Sequence, residues 1–445
     1  MSEGADDSSL ELVEIVTTIA SAPVPAAMPR VFRPIPPAGR FAIPIAGGAK
    51  ADEIVIKTPG RMLRRGDVLA EQWPQTSAAP LAPADGKIAA LACAKLTNDL
   101  TVPAILFEPH EPVANIEPAP RATVDAIPNM LRWLSETGLA GGIQHLRQRG
   151  VWAQRWTTPD LLGQLRNSID KPINTVICDV LDEAPDMLLH HELAMAFPVE
   201  LVAGVLALAK MTGAAEMFAV VAAFGNSIGW DLLRAAVTGT KLKLVPLQDH
   251  YPQAHPTLLI HEITGRHLRH GKSPTEAGIL VIDAAAAIAV GRCFLHNESM
   301  LTVPIGLRDR ISEQTYWLDV PIGMPWLHVL SHLSIAESHL ELRAGNSLRE
   351  IRLSGDCVTS ASDLSITVSP PERRMNPDPC IRCAWCVEGC PVHIQPAGLL
   401  EAAQQGDPFL ADQYGLDACI ECGICSYVCP SHLPILKGIR LLRSS

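Results

Sequence analysis

The chain has 445 residues, 48% of them hydrophobic and only 19% charged, which is enough for two or three domains with sizeable cores. Its formal net charge of −11 argues against a nucleic-acid partner. The opening MSEGADDSSLELVEIV lacks a basic n-region, and no apolar run reaches the roughly 18–20 residues that cross a bilayer, so no direct membrane span is expected.

In chain order, residues 1–30, rich in Ser, Asp, Ala and Pro, read as a mobile lead-in. Residues 31–120 carry short β-type runs broken by Pro and Gly: RFAIPIAG, EIVIKTPG, DVLAEQW and PADGKIAAL. GRMLRRGDVLAE and APADGKIAAL resemble the two halves of a lipoyl-like β-sandwich, with Gly66-Asp67 and Asp85-Gly86 as turn residues. No lysine stands at the tip of an Asp-Lys-Ala or Met-Lys-Met hairpin, so the sandwich is expected to be structural and not a carrier of lipoate or biotin.

Residues 121–300 alternate between strand and helix. NTVICDV, MFAVVAAF, LKLVPL and GILVID are four apolar strands, and VELVAGVLALAKMTG is a helix ending at Gly213. Such alternation predicts a Rossmann-like, mostly parallel α/β domain that binds ligands at the carboxyl ends of its strands. The apolar stretch at 278–291 contains Asp283 and reads as a buried strand running into a helix. Residues 301–364 return to short β-like runs, a small α+β module. Residues 365–380 read as a Pro-rich linker into a C-terminal α-helical, ferredoxin-like domain, assigned as 365–445.

That last region holds the sharpest signal. Cysteines stand at 380, 383, 386 and 390, and again at 419, 422, 425 and 429. Each run is C-x2-C-x2-C-x3-C-P, the bacterial ferredoxin spacing for a [4Fe-4S] cluster, in which the fourth thiolate serves the other cluster. The expected ligand sets are therefore Cys380, Cys383, Cys386 and Cys429, and Cys419, Cys422, Cys425 and Cys390. A zinc ribbon would need only two separated C-x2-C pairs. Thiolate ligation also argues for a reducing compartment. The tandem runs, each followed by helical periodicity, look like an internal duplication.

Other residues invite blander readings. Cys93, Cys178, Cys293 and Cys357 are scattered and expected to be small buried hydrophobes. His190 and His191 are neighbours on a helix and cannot both face one metal. HEITGRHLRH lacks the His spacing of a zinc-protease helix and reads as a polar surface segment. Arg147, Arg149 and Arg155 could hold an anion, but such arginines are more often solvated or paired with carboxylates.

The order of these parts resembles the C subunit of the Rnf electron-transport complex over nearly the whole chain. The cluster motifs and YGLDACIECGICSYVCPSHLPI carry most of the likeness, with KPINTVICDVLDEAPDMLLHHELAMAFPVELVAGV and LVPLQDHYPQAHPTLLIHEITGR. The resemblance implies a barrel-sandwich hybrid for 31–120 and an SLBB-like fold for 301–364. It also implies FMN and NAD(H) in the α/β domain, by likeness to the flavin subunit of respiratory complex I. The family's glycine-rich flavin loop corresponds to TGLAGGIQHLRQRGVWAQRWTTP, where Gly138, Gly141 and Gly142 remain and bulky residues follow. In the family's acidic motif, Asp179 replaces Asn, Asp182 replaces Glu and Ala184 replaces a second Glu, while Pro185 persists. Tyr251-Pro252-Gln253 persists, but Ala254, His255, Pro256 and Thr257 stand where a basic residue is expected. Three altered segments predict lost nucleotide chemistry, with Gly138, Gly141, Gly142 and Asp182 as the remnant of an FMN site.

The expectation is thus an electron-transfer subunit, peripheral on the cytoplasmic side of a bacterial inner membrane. Its partners would be the other subunits of an Rnf-like complex and a ferredoxin or flavodoxin-type carrier. Alternatives are a working FMN-dependent NADH:ferredoxin oxidoreductase subunit, a soluble cobalamin-reductase-like relative, and an adaptor whose clusters only stiffen its C-terminal domain.

Overall fold

The computed structural model describes residues 31–444 except 38, 46–48, 111–122, 154–159, 183, 185–186, 224–227, 249, 269–271, 336–339 and 372–375. The lead-in at 1–30 lies outside them.

Near the N-terminus, four antiparallel strands run in the order Phe41–Pro44, Thr101–Pro109, Gly86–Lys95, Met62–Leu63. A two-stranded ladder pairs Val55–Ile56 with Ala70–Gln72. Alternation does the sorting: Phe41 and Ile43 point inward while Ala42 and Pro44 sit half-exposed. The turn residues interlock, the Arg65 amide donating to the Asp85 carboxylate at 2.7 Å and the Gly66 amide to the Ala82 carbonyl at 2.8 Å.

The α/β domain begins with helix α1, Ile127–Gln148, and its sheet is wholly parallel. The strand order is Lys243–Leu247, Glu216–Ala222, Thr175–Asp179, Ile279–Asp283. The chain thus reverses direction of build between Thr175–Asp179 and Ile279–Asp283, the crevice where open α/β sheets bind ligands. Helix α2 spans Leu189–Ala196, α3 Pro198–Thr212 and α4 Ala284–His296. Proline at its first position starts α3, and left-handed Gly213 ends it. Helix α3 is apolar almost all round because it is buried on nearly every side against α1, the sheet and α4. Its crossing with α4 is close enough that a Cβ on Gly204 would lie 1.9 Å from the Ala287 carbonyl oxygen, and one on Gly291 1.9 Å from that of Glu200.

The third sheet has six strands, in the order Arg33–Pro34, Gln314–Pro321, Thr302–Asp309, Ser365–Ser369, Glu341–Ala344, Ile351–Arg352. Two boundaries read from sequence shift as a result. Ser365–Ser369, assigned to the linker, is a central strand whose Ile366 and Val368 are fully buried. Its apolar alternation is only five residues long and runs straight into Pro370-Pro371, so composition hides it. Arg33–Pro34, assigned to the sandwich, pairs with Gln314–Pro321. Phe41, Ile105 and Phe107 share one apolar cluster with Val303, Leu318 and Trp326, so the sandwich and this sheet have a common core.

The C-terminal region repeats one plan. Helix α5 (Trp385–Glu388) precedes α6 (Pro396–Gln405), and α7 (Ile424–Tyr427) precedes α8 (Ile435–Ser444). Leu399, Ile435 and Ile439 join these helices in one small core. Among the described residues no single helix is long and apolar enough to cross a membrane.

Candidate metal centres

The two cysteine runs share an unusual backbone. Arg382, Ala384 and His393 have positive φ, and so do Glu421, Gly423 and His432 at the equivalent places of the second run. Left-handed residues at matched positions bend each loop about a common point, which is how a short chain can surround a compact ligand.

Cys390, Cys419, Cys422 and Cys425 line one apolar cavity with Val392, Ile394, Leu436 and Ile439. Cys390 thus leaves its own run and joins the other. Burial pushes the Cys422 thiol up to about 12, raises Cys425 further, and raises Cys419. The neighbouring Cys390 adds to each of these shifts. Protonated thiols are poor ligands, so a bound metal must expel these protons and supply the charge that stabilises four thiolates. The Glu421 amide already points at the Cys419 sulfur, 3.4 Å away. Among the described residues no three His, Cys, Asp or Glu side chains converge on a single ion. Four sulfurs around a dry cavity instead suit a cubane, whose potential is set by burial and amide contacts.

The first run behaves likewise at the surface. Cys383 and Cys429 lie close enough to Cys386 to raise its thiol, although burial is the larger cause. The segment just before Cys380 is tied to the segment just after Cys429 by two bonds, from the Asp378 amide to the Ser431 carbonyl at 3.0 Å and from the Ser431 hydroxyl to the Pro379 carbonyl at 3.0 Å. Cys380 and Cys383 are exposed, whereas Cys422 and Cys425 are buried.

The second run is locked onto the rest of the protein. Tyr251 donates to the Cys422 carbonyl, and Asn346 donates to the Tyr251 hydroxyl. Tyr251, Ile420, Cys422 and Ile424 form one apolar cluster with Leu258 and Leu348 packed against it. Glu421 pairs with Arg440 and Arg443, and Arg443 also donates to the Cys419 carbonyl. Arg440 reaches the Arg349 carbonyl. Nearby His255 is 3% exposed and pulled down to about 3, first by burial and then by Arg349 and Arg443. Asn346, Leu348 and Arg349 escape a sequence reading because they sit on a turn of the six-stranded sheet with no motif of their own.

The flavin remnants do not assemble. The stretch expected as a loop at Gly138, Gly141 and Gly142 lies inside helix α1, with one left-handed break at Gly138. Gly142 makes room for a neighbour, since a Cβ there would sit 2.6 Å from the Met211 side chain. Asp182 caps the chain's own α2, accepting from the His190 and His191 amides at 2.7 and 3.3 Å. Asp283 caps α4 through the Ala286 amide at 2.7 Å, and Asp179 accepts from the Leu181 amide at 2.9 Å. Asp179 and Asp283 are register partners on the two strands flanking the crevice. A flavin phosphate would therefore meet three buried carboxylates where it needs free amides. The described residues do not fit FMN at this crevice. Ala184 lies among them, while Pro185 does not.

The remaining candidates resolve simply. His190 and His191 are buried in α2, His190 Nδ1 donating to the Leu181 carbonyl and His191 set edge-on to Trp230. His261 and His267 stack on each other at the surface. Arg147 is not solvated, and among the described residues it pairs with no carboxylate. It is buried, stacks over Trp73 at 4.5 Å and donates to the carbonyls of Trp73, Pro74 and Ser77, tying α1 to the sandwich. Arg149 borders an open groove with Asp67 and Glu298, and Arg155 lies outside the described residues. Cys178, Cys293 and Cys357 are buried as expected, but Cys93 is exposed.

A family model described as the Nuo51 FMN-binding domain matches residues 163–292, beginning after the glycine stretch. A model described as a 4Fe-4S dicluster domain matches residues 379–434. Such a dicluster domain, appended to a flavin-dehydrogenase-type α/β body, defines the class: an iron–sulfur electron-transfer protein. Within that class, the chain is similar to the C subunits of Rnf-type complexes. It is 26% identical to the C subunit of the Na(+)-translocating ferredoxin:NAD(+) oxidoreductase complex of Acetobacterium woodii, over 53% of this chain and 54% of that one. It is 22% identical to the C subunit of the proton-translocating ferredoxin:NAD(+) oxidoreductase complex of Clostridium ljungdahlii, over 62% and 61%. With the C subunit of the ion-translocating oxidoreductase complex of Cronobacter sakazakii it shares 25% identity over 84% of this chain and 48% of the other. The chain spans about half the length of such relatives. An NAD+-reducing [NiFe]-hydrogenase structure overlaps 73% of this chain and 66% of its own, with a TM-score of 0.47 and 13% identity.

Proposed function

We infer that this chain is an electron-transfer subunit of a membrane-associated Rnf-type oxidoreductase complex, with two [4Fe-4S] clusters. The carrying observation is the exchange of the fourth cysteines. Cys390 stands with Cys419, Cys422 and Cys425, and Cys429 with Cys383 and Cys386, the arrangement that two-cluster ferredoxins use. The ligand sets would be Cys380, Cys383, Cys386 and Cys429, and Cys419, Cys422, Cys425 and Cys390. The clusters supply one-electron storage at potentials set by their surroundings. The protein's own contribution is to shield the second site with Ile420, Ile424 and Leu348, and to hold it beside Arg349, Arg440 and Arg443.

On this reading residues 31–120 form a barrel-sandwich hybrid and residues 301–364 an SLBB-like module, apart from Arg33–Pro34 and Ser365–Ser369, which pair within the six-stranded sheet. The α/β domain, its crevice filled by Asp179, Asp182 and Asp283, acts as scaffold and docking body. The protein sits on the cytoplasmic face of the membrane, with the other members of the complex and a ferredoxin or flavodoxin-type carrier as partners. The match of residues 163–292 to an FMN-binding domain favours a second reading, a flavoenzyme subunit that oxidises NADH or reduces NAD+.

Cofactor analysis of the anaerobically purified protein separates the two. About eight irons with matching sulfide, no released flavin and no bleaching by NADH would support the first reading. One FMN per chain and NADH-driven bleaching would establish the second.

A further inference from the structure

The duplication makes an internal comparison possible. Ile381 and Trp385 of the first cysteine run correspond to Ile420 and Ile424 of the second, at the same offsets from their cysteines. Ile420 and Ile424 are each 5% exposed, covered by Tyr251, Leu258 and Leu348. Ile381 is 67% exposed and Trp385 43%. One protein face is therefore built twice in this chain and covered only once.

Charge distinguishes the two copies. Glu421 of the covered loop is held by Arg440 and Arg443. Its counterpart is Arg382, which among the described residues has no ion-pair partner. The uncovered face thus presents two large apolar side chains and a cation beside Cys380 and Cys383, the two exposed cysteines of its run.

Resting on the two-cluster reading above, we propose that this face is the electron port of the chain. Its occupant is a protein that carries its own redox centre and meets Ile381 and Trp385 with an apolar patch and Arg382 with a carboxylate. The second copy shows what such a cover looks like: one aromatic and two aliphatic side chains, those of Tyr251, Leu258 and Leu348, plus the Leu348 backbone carbonyl lying against Gly423. A single electron is exchanged across the contact, one centre being oxidised as the other is reduced, with no bond formed or broken. Because the contact is mainly apolar, it should persist in high salt, unlike a transient carrier steered by charge.

The test uses the tagged full chain expressed in its own cells and recovered with the membrane fraction in mild detergent. Wild type is compared with the double variant Ile381→Asp, Trp385→Asp, and with the milder Ile381→Thr, Trp385→Gln should the aspartates disturb iron binding. The expected result is unchanged iron content and an unchanged dithionite-reduced EPR spectrum of the isolated chain. Recovery with the membrane fraction and its electron exchange with reduced membranes should fall about tenfold or more, as loss of two buried apolar anchors implies. A photo-crosslinker at position 381 should join a protein that itself holds a redox group. Normal assembly and exchange in iron-replete variants would overturn the port while leaving the cluster reading intact. Crosslinks to lipid, to a second copy or to a protein without a redox centre would do the same. Absence of iron from the wild-type chain would remove the cluster reading and the port with it.

Discussion

The phenolic hydroxyl of Tyr251 donates to the backbone carbonyl of Cys422 across 2.5 Å, joining the α/β domain to the second cysteine loop. Tyr251 is buried, and its own oxygen accepts from Asn346 of the six-stranded sheet. One side chain thus ties three units together at the site. Tyr251→Phe keeps the ring but strands a buried carbonyl, which costs on the order of 1–3 kcal/mol. Anaerobic thermal unfolding should show that loss. A redox titration should move the second cluster's potential and leave the first unchanged. Equal shifts of both would mean that the bond acts only through global stability.

Gly423 has φ of +82°, and a Cβ on it would lie 2.1 Å from the Leu348 carbonyl oxygen. Gly423→Ala must therefore move backbone against backbone and undock the second loop. Its counterpart Ala384 already carries a Cβ at φ of +67°, where the surface is open. Ala384→Gly should change stability by no more than about 1 kcal/mol, the scale of a single glycine–alanine exchange. The asymmetry between these two substitutions, measured by proteolytic sensitivity and iron content, checks whether docking or loop conformation sets the demand for glycine.

The crossed fourth ligands make a sharp prediction. Cys390→Ser should deplete the cluster of the second run, and Cys429→Ser that of the first. In each case iron should fall from about eight to about four atoms, with EPR identifying the survivor. If Cys390→Ser empties the first site instead, each run binds its own cluster and the pairing is wrong.

Much of this is legible in the sequence because the signals are local. The cysteine spacing lies within eleven residues and points directly to the expected ligand sets. The apolar strands of the parallel sheet are equally clear: Thr175–Asp179 and Ile279–Asp283 are buried at every position, and the runs alternate with helices. Ser365–Ser369 escapes notice because a five-residue strand beside Pro370-Pro371 is set by partners far away in sequence. Arg147 misleads for a similar reason, its acceptors being carbonyls some seventy residues earlier. The docking of the second loop on Leu348 and Asn346 is likewise purely tertiary. Sequence can show the duplication but not that only one copy is covered.

Acid should weaken the α/β domain through two buried histidines. Burial pulls His191 down to about 4, and burial with Arg349 and Arg443 pulls His255 down to about 3. In the unfolded chain each takes up a proton near 6.5. Between that value and the folded one the unfolded state binds more protons, so stability falls as pH falls. The loss is about 1.4 kcal/mol per pH unit for each histidine. It begins below about 6.5 and for His191 is complete near 4. Acid also protonates the cluster thiolates, which would mask the effect in wild type alone. The difference between wild type and His191→Phe cancels that contribution, because the substitution lies in α2, away from the cysteines, and a phenyl ring can keep the edge-on contact with Trp230. The variant should lose stability less steeply than wild type as pH is lowered. Parallel curves would show that His191 does not titrate between the two states.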